Sequence, residues 1–431
     1  MSVVHKLISK AASSNAALPV KKSMRRLMET YYNAAVVNRL STKTEPLRLV
    51  VENDQPVRIN IVIPEINFEC FYGGYIAKFN LGLMLAQRGR KVRLLTVDPC
   101  PYQLDHWRER IKDYTGLEDV FDFVEVQCCD DRKKGVPVNP EDTFIATTWW
   151  TAYIAHAAAQ QLGQEKFIYL IQEYEPFTFS MGSYYAMARS SYDFPHNAIF
   201  STQLLQAYFE TQYIGVYAEQ DTNADHNAMA FENAIFAYAA NELTFQNRTP
   251  HRLLFYARPE AHASRNMFEI AYIALCKAIE QDVFSDQWEF HGIGSNHKNI
   301  PLPNERELVM RGIVGLSEYR ELLPQYDIGL SLMYTPHPSL LPLEMAAAGM
   351  VVVTSECMNK THSDLHAISS NLYGAVPTID GVLAALKRAV EKANDKDSRL
   401  RGSEVHWASS WSQAFSDDIF QRLDNWIGHK Q

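Results

Sequence analysis

A chain of 431 residues exceeds one ordinary domain and suits two domains with extensions. Hydrophobic content of 47% with 21% charged residues, and no apolar run near 18 residues, excludes a disordered chain and a membrane-spanning helix. The net charge of −9 argues against general nucleic-acid binding, and it is uneven: residues 1–50 hold nine Lys/Arg against Glu29 and Glu45, a local +7, leaving −16 for the remainder.

Residues 1–54 read as a basic helical extension without the continuous apolar core of a signal peptide. Within it, 20–40 has the pattern of a helix with one basic and one apolar face. Such a helix can either touch anionic lipid or dock on the protein body. The first strand of the body is predicted over 57–64, followed by Gly73-Gly74, a helix over 75–88 closed by Gly89, and a strand over 91–97. This is a βαβ unit with glycines at its first turn, where doubly wound sheets bind ligands. It lacks the GxGxxG pattern, so no dinucleotide is implied.

A strand over 143–148 leads into Trp149-Trp150-Thr151-Ala152-Tyr153 and an alanine-rich helix. A strand over 166–172 ends just before Glu173-Tyr174-Glu175, and another follows at 197–201. A second α/β series begins near residue 252 and ends its first strand at Arg258-Pro259. Its further elements are a helix over 267–281, a strand over 288–291 running into Gly292-Ile293-Gly294, and a strand over 326–332. Residues 336–354 then give a polar loop, a short helix with Pro342 and Glu344 in its first turn, a stop at Gly349 and a buried strand. The expected domains are 55–245 and 246–402, facing each other across a cleft, with a C-terminal helix in 403–431 packing back across them. Ligands bind in such clefts. The polar run 392–401, with the only Asp-x-Asp at Asp395 and Asp397, reads as a solvated linker, so no metal site is expected. The six cysteines (Cys70, Cys100, Cys128, Cys129, Cys276 and Cys357) form no CxxC pair and suit reduced thiols of a cytoplasmic protein.

Taken together, these segments resemble the GT-B glycosyltransferases, in particular family 4. The stretches Thr147–Tyr153, Tyr169–Pro176, Tyr256–Pro259 with Arg265-Asn266, and Ser331–Ala346 are similar to the WsaF-type rhamnosyltransferases of bacterial surface-glycan assembly. The resemblance implies an α/β GT-B fold and retaining, metal-independent transfer of rhamnose from dTDP-rhamnose to a glycan or lipid-linked glycan acceptor. It implies no cofactor beyond the nucleotide-sugar substrate, and a cytoplasmic site of action, peripheral on the membrane if residues 1–50 touch it. An epimerase of GT-B shape, or a non-catalytic scaffold subunit, stays open as an alternative.

By position, the resemblance assigns Arg258 and Arg265 to the donor diphosphate, Glu344 to the ribose, and His337, Ser339, Leu340, Gly292 and Gly294 to the remaining donor surface. Gly73 and Gly74 match the loop approaching donor and acceptor. Glu173 and Glu175 are candidates for acceptor binding or proton transfer, and Trp149, Trp150 and Tyr153 for sugar stacking. Three departures stand out. Pro336 occupies the place of the family's first glutamate, Leu340 that of an aromatic residue, and no lysine lies near Gly312, where Arg311 is the nearest cation.

Overall fold

The apolar runs of the body form strands buried on both faces. The structure, a computed structural model, describes residues 37–71, 73–218, 224–240 and 250–427. Residues 1–46 form a unit of their own, of which 37–44 are helical. The amphipathic helix expected over 20–40 lies almost entirely outside the described residues.

The body begins earlier than expected, at Leu47. Strand β1 (Arg48–Val51), inside the stretch read as an extension, pairs in parallel with β5 (Gly135–Val138). Its own pattern is mostly exposed, so no apolar alternation announced it. The neighbouring Leu47 is 2% exposed and anchors it in the first domain's core.

The first large sheet is parallel and seven-stranded. It comprises β2 (Arg58–Ile63), β3 (Lys91–Thr96), β4 (Val124–Cys128), β6 (Thr143–Ala146), β7 (Phe167–Ile171), β8 (His196–Ser201) and β9 (Ala228–Phe231), in the order β4-β3-β2-β6-β7-β8-β9. Helix α1 (Gly74–Gln87) and helix α2 (Trp149–Gln161) follow β2 and β6, and α3 (Ser183–Ser190), α4 (Gln203–Thr211), α5 (Phe268–Glu280) and α6 (Leu340–Ala347) come later in the chain. The second seven-stranded sheet has the order β12-β13-β11-β10-β14-β15-β16. Its strands are β10 (His251–Tyr256), β11 (Trp288–Ile293), β12 (Ile300–Leu302), β13 (Arg306–Met310), β14 (Ile328–Leu330), β15 (Val351–Ser355) and β16 (Leu372–Ala375). Only β12 runs antiparallel. Open sheets of this kind bind ligands at the carboxyl ends of their strands, which makes those ends the place to look for a site.

One expectation about the end of the second domain is corrected. The run 392–401 is no solvated linker: it closes helix α7 (Ile379–Ala393) and forms α8 (Lys396–Gly402), whose N-cap is the Asp395 side chain. Arg399 in α8 is 3% exposed and donates to Asp327 at 3.0 Å. The final helix α9 (Asp417–Ile427) belongs to the first domain. Its Ile419, Phe420 and Leu423 join that domain's core, and Arg88 and Arg90 pair with its Asp417 and Asp424. The returning chain is tied to the outgoing one where they meet: Ile235 N donates to Ala408 O, and Trp407 Nε1 to Asn233 O.

Candidate functional site

The first domain contributes the ends of β2, β6 and β7. Gly73, with φ of 45°, turns the chain into α1, and a Cβ there would lie 3.8 Å from Leu340 of the second domain. A Cβ on Gly74 would sit 2.5 Å from Gln172 Oε1, so glycine permits the loop to close on the end of β7. Glu175 Oε1 accepts from Trp149 N at 2.8 Å, which ties the carboxyl to the positive end of α2. Burial pushes Glu175 up to about 8, against the pull of Lys78, whose own value burial pushes down to about 8. Burial thus favours the protonated form of this carboxyl, and Lys78 the ionised one.

A raised folded-state value means that the native state holds a proton the unfolded chain has lost. Stability is then lost as pH rises from about 4.5 toward about 8. Glu175→Gln is expected to flatten that decline, read as denaturation midpoints between pH 5 and 8.5. An unchanged slope would show that the carboxyl is not buried as described.

Glu173 faces the second domain. Burial raises its value, while Arg265, Lys360 and a hydrogen bond with Thr335 favour the charged form. The Lys360 ammonium is fully buried, donates to Met333 O at 2.7 Å and His337 O at 3.3 Å, and is pushed down to about 8 by burial. Sequence reading missed Lys360. Its signal was position alone, in the loop just past β15, at a strand end where such sheets bind ligands.

Arg258 and Arg265 each have a buried Nε without a hydrogen-bond partner among the described residues, and differ in the rest of the fork. The Arg258 fork is engaged within its own loop, with Tyr256 OH at 3.3 Å, His262 Nε2 at 2.8 Å and Glu260 at 3.5 Å. Arg265 lines an interdomain cavity of about 190 Å³ with Phe177, Ser264, Met267, Tyr334 and Met358. Gly292 and Gly294 serve packing. A Cβ on Gly292 would meet Met310 Sδ at 2.4 Å, and one on Gly294, whose φ is 98°, the Tyr256 ring at 2.5 Å.

Four further expectations need correction. His337 has no free ring nitrogen for a phosphate: Nδ1 accepts from Ser339 N at 2.9 Å, and Nε2 lies 3.4 Å from Ser201 Oγ of the first domain. Burial pushes it down to about 3, so it is a neutral interdomain contact. Trp149 is 1% exposed, edge-on to Tyr153, Phe179 and Tyr184, and offers no sugar-stacking face. Tyr153 and the half-buried Trp150 also belong to packing; the Tyr153 hydroxyl bonds Ser190 Oγ at 2.6 Å. Finally, the short helix starts at Leu340, after Ser339 with φ of 67°, so Glu344 lies past its first turn.

Glu344 is 8% exposed and held at both oxygens. Oε1 accepts from Phe236 N at 3.4 Å and Oε2 from Tyr319 OH at 2.6 Å. Burial pushes its value up to about 7, partly offset by Tyr319, Phe236 N and Arg320.

With this geometry in place, comparison with known proteins decides the family. Models of the WsaF N-terminal and C-terminal domains match residues 58–203 and 251–387, together 283 of the 431 residues. The chain belongs to the WsaF family of GT-B glycosyltransferases. The two matched domains hold the two sheets described above except β9, which lies with the outgoing crossing in the gap between them. A curated relative, the O-antigen biosynthesis protein RfbC of Myxococcus xanthus, is 32% identical over 266 residues. That match covers 58% of this chain but only 18% of the relative's length. Among solved structures, Anabaena HepE in complex with UDP and glucose aligns with a TM-score of 0.55 at 11% identity, covering 86% of this chain and 99% of HepE. Sucrose-phosphate synthase from Thermosynechococcus elongatus aligns at 0.53 and 11%, over 81% and 93%. Both likenesses are of fold.

Proposed function

We propose that this WsaF-family enzyme transfers rhamnose from dTDP-rhamnose, with retention and without a metal, to a glycan or lipid-linked acceptor of a bacterial surface polysaccharide. The observation that carries the reading is the interdomain cluster in which Glu173 of the first domain faces Arg265, Thr335 and Lys360 of the second, beside a cavity that Arg265 lines with an unpartnered Nε. A half-buried guanidinium with one unpartnered donor suits a diphosphate, whose charge grows as the bond to the sugar breaks. Lys360 supplies a second cation, in place of the lysine absent near Gly312. In the transfer, the bond from the anomeric carbon to the diphosphate oxygen breaks and one to an acceptor oxygen forms. The acceptor proton leaves with the diphosphate. Glu173 accepts the acceptor hydroxyl, and the protonated Glu175 donates to a neighbouring hydroxyl. Closure of the two domains keeps out the water that would hydrolyse the donor.

The nucleotide-sugar class is supported by HepE, solved with UDP and glucose, and the polysaccharide setting by RfbC, an O-antigen biosynthesis protein. The choice of a 6-deoxy sugar rests on the WsaF-type motifs and on Pro336 in the place of the first glutamate. Among the described residues no helix is long and apolar enough to cross a membrane. Contact with anionic lipid is assigned to the basic residues 1–50.

The test is calorimetric binding of dTDP-rhamnose, UDP-hexoses and GDP-hexoses, with and without EDTA, followed by turnover with and without glycan acceptors. Selective, EDTA-insensitive dTDP-rhamnose binding is expected. Glu344→Gln is expected to weaken it about tenfold to a hundredfold, the worth of a hydrogen bond to a charged group. Selectivity for a UDP- or GDP-hexose would overturn the sugar, and donor conversion without acceptor would favour the epimerase. No binding at all would overturn the transferase.

A further inference from the structure

The carboxyl assigned to the ribose is buried, and its two oxygens are held unequally. The Tyr319 hydroxyl donates to Oε2 at 2.6 Å, within the range of a charge-assisted O–H···O⁻ bond. The backbone N–H of Phe236 reaches Oε1 only at 3.4 Å, a long contact. Phe236 belongs to the segment connecting the domains, and its ring lies under the Arg320 guanidinium at 4.0 Å. From the same segment Tyr238 faces Glu344, and its buried hydroxyl has no hydrogen-bond partner among the described residues. One oxygen is thus clamped by a short bond, the other is weakly occupied, and an unpaired hydroxyl lies beside them.

We propose that Tyr319 is a positioning residue that holds the Glu344 carboxylate by Oε2 so that a nucleotide ribose takes Oε1, with the Tyr238 hydroxyl completing the ribose site. This rests on the reading of Glu344 as the ribose ligand and extends the donor pocket into the connection between the domains. A ribose hydroxyl donating to Oε1 replaces the long Phe236 contact with a shorter bond. The orphaned Tyr238 hydroxyl gains a partner, which removes the penalty of leaving it unmade. The groups facing Glu344 are Tyr319 and Arg320 from one helix and Tyr238 from the connecting segment, and Tyr256 faces Tyr319 in turn.

The arrangement predicts a pH signature. The Tyr319 bond favours the ionised carboxyl, so its loss raises the pH at which the carboxyl ionises. Affinity, which needs the carboxylate, then falls at neutral pH and recovers in base. The experiment is calorimetric binding of dTDP and UDP to the full chain between pH 6 and 9, for wild type, Tyr319→Phe, Tyr238→Phe and Glu344→Gln, with melting curves as fold controls. Expected for Tyr319→Phe are about tenfold weaker binding at pH 7, a midpoint moved up by about one pH unit, and near-normal affinity at pH 9. Tyr238→Phe is expected to weaken binding about three- to tenfold at every pH, with no midpoint shift. If Glu344→Gln weakens binding while Tyr319→Phe leaves affinity and midpoint unchanged, the positioning role falls and the ribose reading stands. If Tyr238→Phe alone binds normally, Tyr238 has no part in the site. If Glu344→Gln binds both nucleotides normally, the ribose reading itself is wrong.

Discussion

Replacing Arg265 by alanine is expected to lower kcat/KM for the donor about a hundred- to a thousandfold, while the melting temperature moves by no more than about 2 °C. The size follows from removing one positioned cation from the diphosphate site proposed above, where negative charge would develop. The small stability cost follows from its contacts. Its carbonyl, which accepts from Tyr334 N at 2.8 Å, is retained in the variant, and its Nε holds no hydrogen bond among the described residues. Glu173 keeps Lys360 and Thr335 as partners when the guanidinium is gone. Arg258→Ala is the control. That fork is already engaged by Tyr256, His262 and Glu260, so its removal is expected to cost less turnover and more stability. Steady-state kinetics and thermal melting on both variants decide the matter. Turnover of Arg265→Ala within threefold of wild type would move the diphosphate role away from this residue.

The second large effect is on folding. Arg399→Ala is expected to destabilise the protein by about 3–5 kcal/mol, the cost of leaving one member of a buried ion pair without its partner. Arg399 and Asp327 are each about 4% exposed at the side chain and 3.0 Å apart. Asp327 Oδ2 also accepts from Arg252 N at 3.0 Å, while Arg399 Nε donates to Gly349 O at 2.9 Å and Nη1 to Ala393 O at 3.0 Å. One guanidinium thus joins the entry to β10, the entry to β14, the turn before β15 and the end of α7. Urea unfolding checks the magnitude, and Arg399→Ala combined with Asp327→Asn is expected to recover part of the loss. A change under 1 kcal/mol would mean that the pair is wetter than described.

Much of the fold was legible in the sequence because it rests on local periodicity. The strand over 58–63, the glycine turn and the helix from Gly74 follow from an apolar run, two glycines and helical spacing, each readable without its neighbours. The site was legible only in part. Glu173 and Arg265 could be named from a strand end and a motif, but their meeting across the cleft is a tertiary fact. Lys360 was passed over and Arg399 fell in a run read as solvated, because nothing in a linear pattern reports that a carbonyl or carboxylate waits to receive them. The aromatics Trp149 and Tyr153 show the converse. Their composition suits a sugar platform, and only the tertiary packing buries Trp149 and turns the half-buried Tyr153 edge-on to its neighbours. His337 carried a motif yet serves an interdomain contact, since ring tautomer and neighbours decide what an imidazole can reach.

The two crossings between the domains, tied by Ile235 to Ala408 and by Trp407 to Asn233, bear on how parts of this family can be recombined. The polypeptide leaves the first domain once and comes back to finish it, so a cut at a single point between residues 232 and 250 does not separate two complete pieces. A chimera joining this first domain to a relative's second domain would have to inherit the segment from about residue 403 onward from the parent of the first domain. Otherwise Phe415, Ile419, Phe420 and Leu423 would meet a foreign surface. Exchange of the second domain is therefore a three-piece graft, with the middle piece inserted into a host that closes around it.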